Sequence, residues 1–237
     1  MAIQAVLFDL DGTLLPLDQD FFVKTYLHKL CTKLATHGYD PAQLAKNIWS
    51  GTYAMIQNNG QATNEQRFWD TFAASYGPDV RKDEPLFDEY YRSEFGSVRS
   101  VCGFTEESAK LVHRLKDMGI TVILATNPVF PAIATHQRIA WAGLTPGDFA
   151  LVTTYENSCR CKPNPGYYKD ILAKLGVQPE ECLMVGNDVG EDMIAETLGM
   201  QVFLLTDCLI NKHGTDISRY PQGSFDALNR YIDALVG

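Results

Sequence analysis

The chain has no excess of positive charge: 20 Lys and Arg stand against 29 Asp and Glu, for a formal charge of −9. That excludes a broad nucleic-acid surface, which needs clustered Lys and Arg, but leaves room for a compact basic site around one small phosphate. A long hydrophobic run is also missing. Met1-Ala2-Ile3-Gln4 carries no basic segment, and the apolar stretch that follows is broken by Asp9 and Asp11. This is the pattern of neither a signal peptide nor a membrane span, so no membrane partner and a cytoplasmic location are expected. The six cysteines (Cys31, Cys102, Cys159, Cys161, Cys182 and Cys208) are scattered rather than packed into a disulfide framework and are expected to be reduced. Only Cys159 and Cys161 lie close together, and without a second pair or matched histidines they do not make a zinc site. There is no internal repeat and no low-complexity tract.

What is present is an ordinary globular balance, 46% hydrophobic and 21% charged over 237 residues. That length suits one large domain or a core with a second unit inserted. The most informative stretch is Val-Leu-Phe-Asp-Leu-Asp-Gly-Thr-Leu-Leu from Val6 to Leu15, an apolar run ending in two carboxylates, a glycine and a threonine. It reads as a buried strand delivering Asp9 and Asp11 to a loop. If the chain stays extended, both carboxylates face one side and repel each other, and a hard divalent cation such as Mg²⁺ would offset them. Gly12 would let the backbone pass close to a ligand, and Thr13 would add a hydroxyl and an amide. Taken alone, an Asp-Xaa-Asp also fits a solvated turn or a helix cap.

After Leu15-Pro16 the pattern turns helical and aromatic, with no convincing strand before residue 95. Val23, Leu27, Leu30 and Leu34 recur at helical spacing; Asp40-Pro41 opens a second helix; Thr63-Asn64-Glu65-Gln66 opens a third that buries Phe68, Trp69, Phe72 and Tyr76; and Leu86, Phe87, Tyr90, Tyr91 and Phe95 suggest a fourth. From Val101 onward helix and strand alternate. Strands are expected at 120–125, 149–153, 182–185 and 202–205, and helices at 106–118, 131–142, after Asn164-Pro165, at 191–198 and at 224–236. The fold class is therefore α/β: a Rossmann-like parallel sheet in a three-layer sandwich, residues 1–15 plus 100–237, with a helical cap, residues 16–99, inserted over the first loop.

Ligands bind at the carboxyl ends of strands in open parallel sheets, so the polar residues just after each apolar run matter most. They are Thr126-Asn127, able to hold phosphoryl oxygens or to cap a helix; Lys162-Pro163-Asn164-Pro165, which puts a cation where the helix dipole favours an anion; and Gly186-Asn187-Asp188-Val189-Gly190-Glu191-Asp192, dense in carboxylates. The lysine can equally be solvated, and an acidic helix start is common.

The string Asp9-Leu10-Asp11-Gly12-Thr13 resembles the first motif of the haloacid dehalogenase superfamily, whose members are mostly phosphatases. Thr126, Lys162, and Asp188 with Asp192 follow in the order of that superfamily's other motifs, and the helical stretch after the first motif is like its type 1 cap. Residue by residue, the resemblance implies Asp9 as nucleophile and metal ligand, and Asp11 as acid/base that lends its carbonyl to Mg²⁺. It further implies Thr126, Asn127 and Lys162 on the phosphoryl group and Asp188 completing the metal site. Family members commonly carry Gly-Asp where this chain has Gly186-Asn187, which leaves Asp188 and Asp192 as competing ligands.

The expected activity is Mg²⁺-dependent hydrolysis of small phosphorylated metabolites through an aspartyl-phosphate. Dehalogenases of the superfamily lack an aspartate two residues after the nucleophile, so Asp11 favours phosphate esters. A phosphomutase, or a non-catalytic binding module on the same fold, are the alternatives. Phe21, Tyr53, Arg67 and Tyr90 are candidates for the cap's specificity wall. The sequence leaves the oligomeric state open.

Overall fold

The computed structural model describes residues 2–236. The first strand, β1 (Ala5–Phe8), is buried at every position, as a parallel strand covered on both faces must be. A helical stretch follows before the chain returns to the sheet: α1 (Gln19–Ala35), α2 (Pro41–Ile56), α3 (Asn64–Tyr76) and α4 (Glu84–Ser93). Next come α5 (Glu106–Asp117), β2 (Thr121–Leu124), α6 (Ala132–Trp141), β3 (Leu151–Val152), α7 (Pro165–Leu175), β4 (Cys182–Gly186), β5 (Gln201–Leu205), β6 (Gln222–Gly223) and α8 (Phe225–Val236).

All strand pairings are parallel, in the order β3-β2-β1-β4-β5-β6. The chain grows outward from β1 to β3, then crosses to the other side of β1 with β4, so the order reverses between β1 and β4. A crevice opens at the carboxyl ends of strands at such a switch point. Register brings three loops together there. Phe8 lies opposite Leu124 and Val185, the Asp9 amide donates to Val185 O at 2.9 Å, and the Ala125 amide donates to Phe8 O at 2.7 Å.

Alternation along each strand builds two cores. Val6, Phe8, Leu124, Val185 and Phe203 face one way, toward Leu111, Leu115, Leu228 and Ile232 of α5 and α8. Ala5, Leu7, Ile123, Met184 and Leu204 face the other, toward Tyr168 and Ile171 of α7. The result is a three-layer α/β/α sandwich. No helix among the described residues is long and apolar enough to cross a membrane.

The helical insert has its own aromatic interior. Trp69, Phe72 and Phe87 meet edge to face with centroids 5.4–5.7 Å apart, a geometry that adds about 0.5–1.5 kcal/mol per pair beyond area burial. Its helix starts follow the sequence. Asp18, Asp40 and Thr63 each accept an amide of the first turn, from Phe21, Gln43 and Gln66 respectively. At the crossings, the Gly103 amide donates to Pro16 O at 2.6 Å, and a side chain at Gly103 would meet Pro16 at 3.1 Å. A second attachment lies at the start of α3, where fully buried Asn64 donates through its backbone amide to Ser158 O at 2.8 Å and through its side chain to Pro128 O at 3.1 Å.

Three elements differ from expectation, the first being β6 (Gln222–Gly223), a short sixth strand that the pattern did not announce. The stretch 191–198 is an α-helix by pattern, but only Met193–Leu198 winds, and as a 3₁₀ turn. The cause lies upstream: the Asp188 carboxylate accepts the Gly190 and Glu191 amides at 2.8 and 3.0 Å, which fixes a tight loop in place of a first helical turn. The strand expected at 149–153 is confined to Leu151–Val152, an edge position paired only with β2.

Candidate active site

Asp9 leaves the end of β1 at the switch point, 8% exposed. The loop turns at Gly12, whose φ of +85 suits glycine. A Cβ there would also lie 2.3 Å from the Asn187 amide nitrogen, so glycine answers both conformation and space. Asn187 ties the loops after β1 and β4 together: its Oδ1 accepts from Thr13 Oγ1 at 3.0 Å and its Nδ2 donates to Cys208 O at 2.7 Å. An aspartate could accept the first bond but not donate the second, which gives a physical reason for asparagine at this position.

Lys162, 1% exposed, stands behind Asp9. Its Nζ donates to Asp9 Oδ1 at 2.8 Å and to Asp192 Oδ1 at 2.6 Å, using two of three donors. Burial pulls its pKa down, but Asp192 and Asp9 outweigh that and raise it well above the usual lysine value, so the charge is kept. The anions that the lysine's placement implied are therefore these two carboxylates. Asp192 is also bound from below, its Oδ2 accepting the Asp188 amide at 3.0 Å. A Cβ on Gly186 would sit 2.1 Å from that oxygen, so the close approach requires glycine.

Thr126 is buried after β2, and its carbonyl accepts from Thr153 Oγ1 at 2.7 Å and Tyr167 OH at 2.9 Å, which fixes the loop. Asn127 donates to Glu191 Oε2 at 2.9 Å, while its own Oδ1 is buried without a protein partner. Burial is the largest influence on Glu191 and pushes it up to about 7.

One neighbour of the site escaped the sequence reading, Arg138, and Glu191 was read only as part of the carboxylate-dense stretch with no role of its own. Arg138, 1% exposed on α6, pairs through Nη1 with Asp11 Oδ2, and its guanidinium lies 4.3 Å from the centroid of the Phe130 ring. The available signal was an arginine on the buried stripe of α6, beside Ala134, Thr135 and Ile139. Asp11 is consequently held between opposing influences. Burial raises its pKa most, Arg138 lowers it, and the net displacement is upward. Its Oδ1 is buried with no partner.

Asp9, Asp11, Thr126, Asn127, Asp188, Glu191 and Asp192 all border one cavity of about 940 Å³ between the sheet end and the helical insert. The wall residues expected in the insert are corrected by the structure. Phe21 and Tyr53 are 57% and 64% exposed, Arg67 is exposed, and Tyr90 is buried in the aromatic core. None of the four lines the cavity; Phe22, Tyr26, Trp49, Thr52, Phe68 and Trp69 do.

Among the described residues, no three His, Cys, Asp or Glu side chains gather into a cluster that could hold a metal alone. The donor chemistry nevertheless suits Mg²⁺. Asp9 and Asp188 offer carboxylates and Asp11 a main-chain carbonyl, all oxygen, and Mg²⁺ commonly takes one or two carboxylates while keeping several waters.

The fold is a doubly wound parallel sheet with an acidic site at its switch point, beneath helices inserted after the first strand. The chain belongs to the haloacid dehalogenase-like hydrolases, whose family model matches residues 3–195. It is 26% identical to a phosphoglycolate phosphatase from Vibrio vulnificus over 99% of this chain and 96% of that protein. It is 27% identical to the pyrophosphatase PpaX from Bacillus cereus over 79% of this chain and 76% of that one. Among solved structures, the HAD-hydrolase YfnB from Bacillus subtilis, bound to magnesium, shares the fold with a TM-score of 0.58 at 16% identity, over 98% of this chain and 100% of that chain.

Proposed function

We propose that this hydrolase is a Mg²⁺-dependent phosphatase that cleaves phosphate monoesters through an aspartyl-phosphate on Asp9. The observation that carries the reading is the pairing of Asp9, which borders the cavity, with the buried Lys162 behind it, with Asp11 two residues on. A phosphate monoester brings negative charge toward an attacking carboxylate. Lys162 offsets part of that repulsion at the nucleophile. Held by Asp9, the Asp11 carbonyl and Asp188, Mg²⁺ would supply the remaining charge neutralisation.

A carboxylate oxygen of Asp9 attacks phosphorus, and the bond from phosphorus to the ester oxygen breaks. Asp11 gives its proton to the departing alcohol oxygen. It then takes a proton from the water that attacks the aspartyl-phosphate, releasing phosphate and restoring Asp9. Thr126 and Asn127 hold the phosphoryl oxygens, Asn127 through its main-chain amide, since its side-chain Nδ2 is given to Glu191 Oε2 and the Lys162 carbonyl. Residues 16–99 act as the lid over this chemistry, hinged where Pro16 meets Gly103.

The direct test is release of inorganic phosphate from p-nitrophenyl phosphate by the purified chain with Mg²⁺, and its loss with EDTA. Turnover that is absent, or indifferent to EDTA, would remove the reading. Release of free phosphate, rather than transfer to a second alcohol, also separates it from a phosphomutase.

The metal assignment has a separate readout. Asp188→Asn is expected to weaken Mg²⁺ binding, measured by titration calorimetry, more than Asp192→Asn does. Asp192 touches the Asp188 amide and Lys162, so its loss acts at one remove, where costs run to about 10–100-fold in affinity. An equal or larger loss at Asp192 would reverse the assignment.

A further inference from the structure

We propose, resting on the phosphatase reading, that the substrate is the phosphate monoester of an apolar alcohol of about eight carbons or more. The cavity above Asp9 is built for such a group. Binding sites for drug-sized ligands span about 300–1,000 Å³. The volume of about 940 Å³ here lies near the top of that range, far beyond the need of a two-carbon alcohol.

Its wall on the insert side offers chiefly apolar area, with one unpartnered buried donor, Trp69 Nε1. Phe22, Tyr26, Ile48, Phe68 and Trp69 face it while being at most 9% exposed, so they are packed in place rather than loosely gathered around a void. The one hydroxyl among them, on Tyr26, is already bound to Tyr91 OH at 2.7 Å.

Charge points the same way. Among the described residues the only cations lining the cavity are Lys24 and Lys212, both exposed at its rim. The rim also carries Asp18, Asp20 and Asp207. The two buried cations next to the site are committed, Lys162 to Asp9 and Asp192, and Arg138 to Asp11. A leaving group with a second anion, such as glycolate or phosphate, would find no buried cation to receive it and would meet acidic neighbours. This separates the chain from the two relatives named above for phosphoglycolate and pyrophosphate.

A homologous series reads this directly, because n-alkyl phosphates share one leaving-group chemistry and differ only in apolar length. With the full chain and Mg²⁺, kcat/KM is expected to rise about three- to fourfold per added methylene from ethyl to octyl phosphate, all below their micelle concentrations. Phosphoglycolate and pyrophosphate are expected to be turned over no better than ethyl phosphate. Trp49→Ala, on the half-exposed lip where truncation spares the fold, is expected to lower the octyl-to-ethyl ratio of kcat/KM by about tenfold. A flat or falling series, an unchanged ratio in Trp49→Ala, or a preference for phosphoglycolate or pyrophosphate would overturn the apolar substrate while leaving the phosphatase in place. No turnover of any ester would remove the phosphatase reading, and this one with it.

Discussion

Replacing Asp9 by asparagine is expected to abolish phosphatase turnover, by about 10⁴-fold or more. The amide oxygen is far too weak a nucleophile to form the covalent intermediate, and a metal-binding charge goes with it. The fold should survive. Asn can still accept from Lys162 Nζ, which keeps its 2.6 Å partner in Asp192, so the buried ammonium is not stranded. Two measurements make the result interpretable. Rapid quench with labelled acetyl phosphate should place label on the wild-type chain and none on Asp9→Asn, and urea unfolding should show both chains folded. Residual turnover within tenfold of wild type, by a folded variant, would mean that the nucleophile lies elsewhere.

How far the sequence reaches can be judged at particular residues. Asp9, Thr126 and Asp188 were legible because each follows an apolar run, and parallel strands in register deliver whatever follows them to one edge, whereas Lys162 was read from its place before the proline-fixed start of α7. The same logic made the α/β sheet readable, since β1 and β4 are continuous apolar stretches of a kind that only a doubly covered strand needs. Arg138 was not legible in that way. It reaches Asp11 from the last turn of α6 across 127 positions of chain, a contact set by how α6 packs and not by any local pattern.

The cavity wall shows a related limit. Helices in the insert present one face to the aromatic interior and another to the cavity, so several phases of the same helix look equally apolar. Phe22 faces inward while Phe21, one residue earlier, is exposed. Roughly 100° of rotation separates neighbouring residues on a helix, and composition does not choose between them. The failed helix at 191–198 has a different origin, in which side-chain capture of amides by Asp188 overrides a helical pattern.

Asp11→Asn is expected to lose activity in proportion to how badly the leaving group needs a proton. An alkoxide cannot depart unprotonated, so an alkyl phosphate should lose about 10² to 10⁴ in kcat, the usual worth of general acid/base help. p-Nitrophenolate leaves readily as an anion, so p-nitrophenyl phosphate should lose about tenfold or less in its first step. The structure adds a constraint. Asp11 is bound to Arg138 through Oδ2, whereas its buried Oδ1 has no partner and is the oxygen available for a proton. Asparagine keeps the main-chain carbonyl for the metal and an oxygen for Arg138, so the variant removes the proton and little else. Arg138→Lys serves as the comparison, because it alters the pairing while leaving the acid, and its loss should be similar for both esters. Single-turnover rates on the two esters isolate phosphoryl transfer from product release. An equal fall for both in Asp11→Asn would show that Asp11 acts through position or charge, with Arg138 as its structural partner, and the proton would have to come from another group bordering the cavity, for which Glu191, pushed up to about 7 by burial, is the nearest in chemistry.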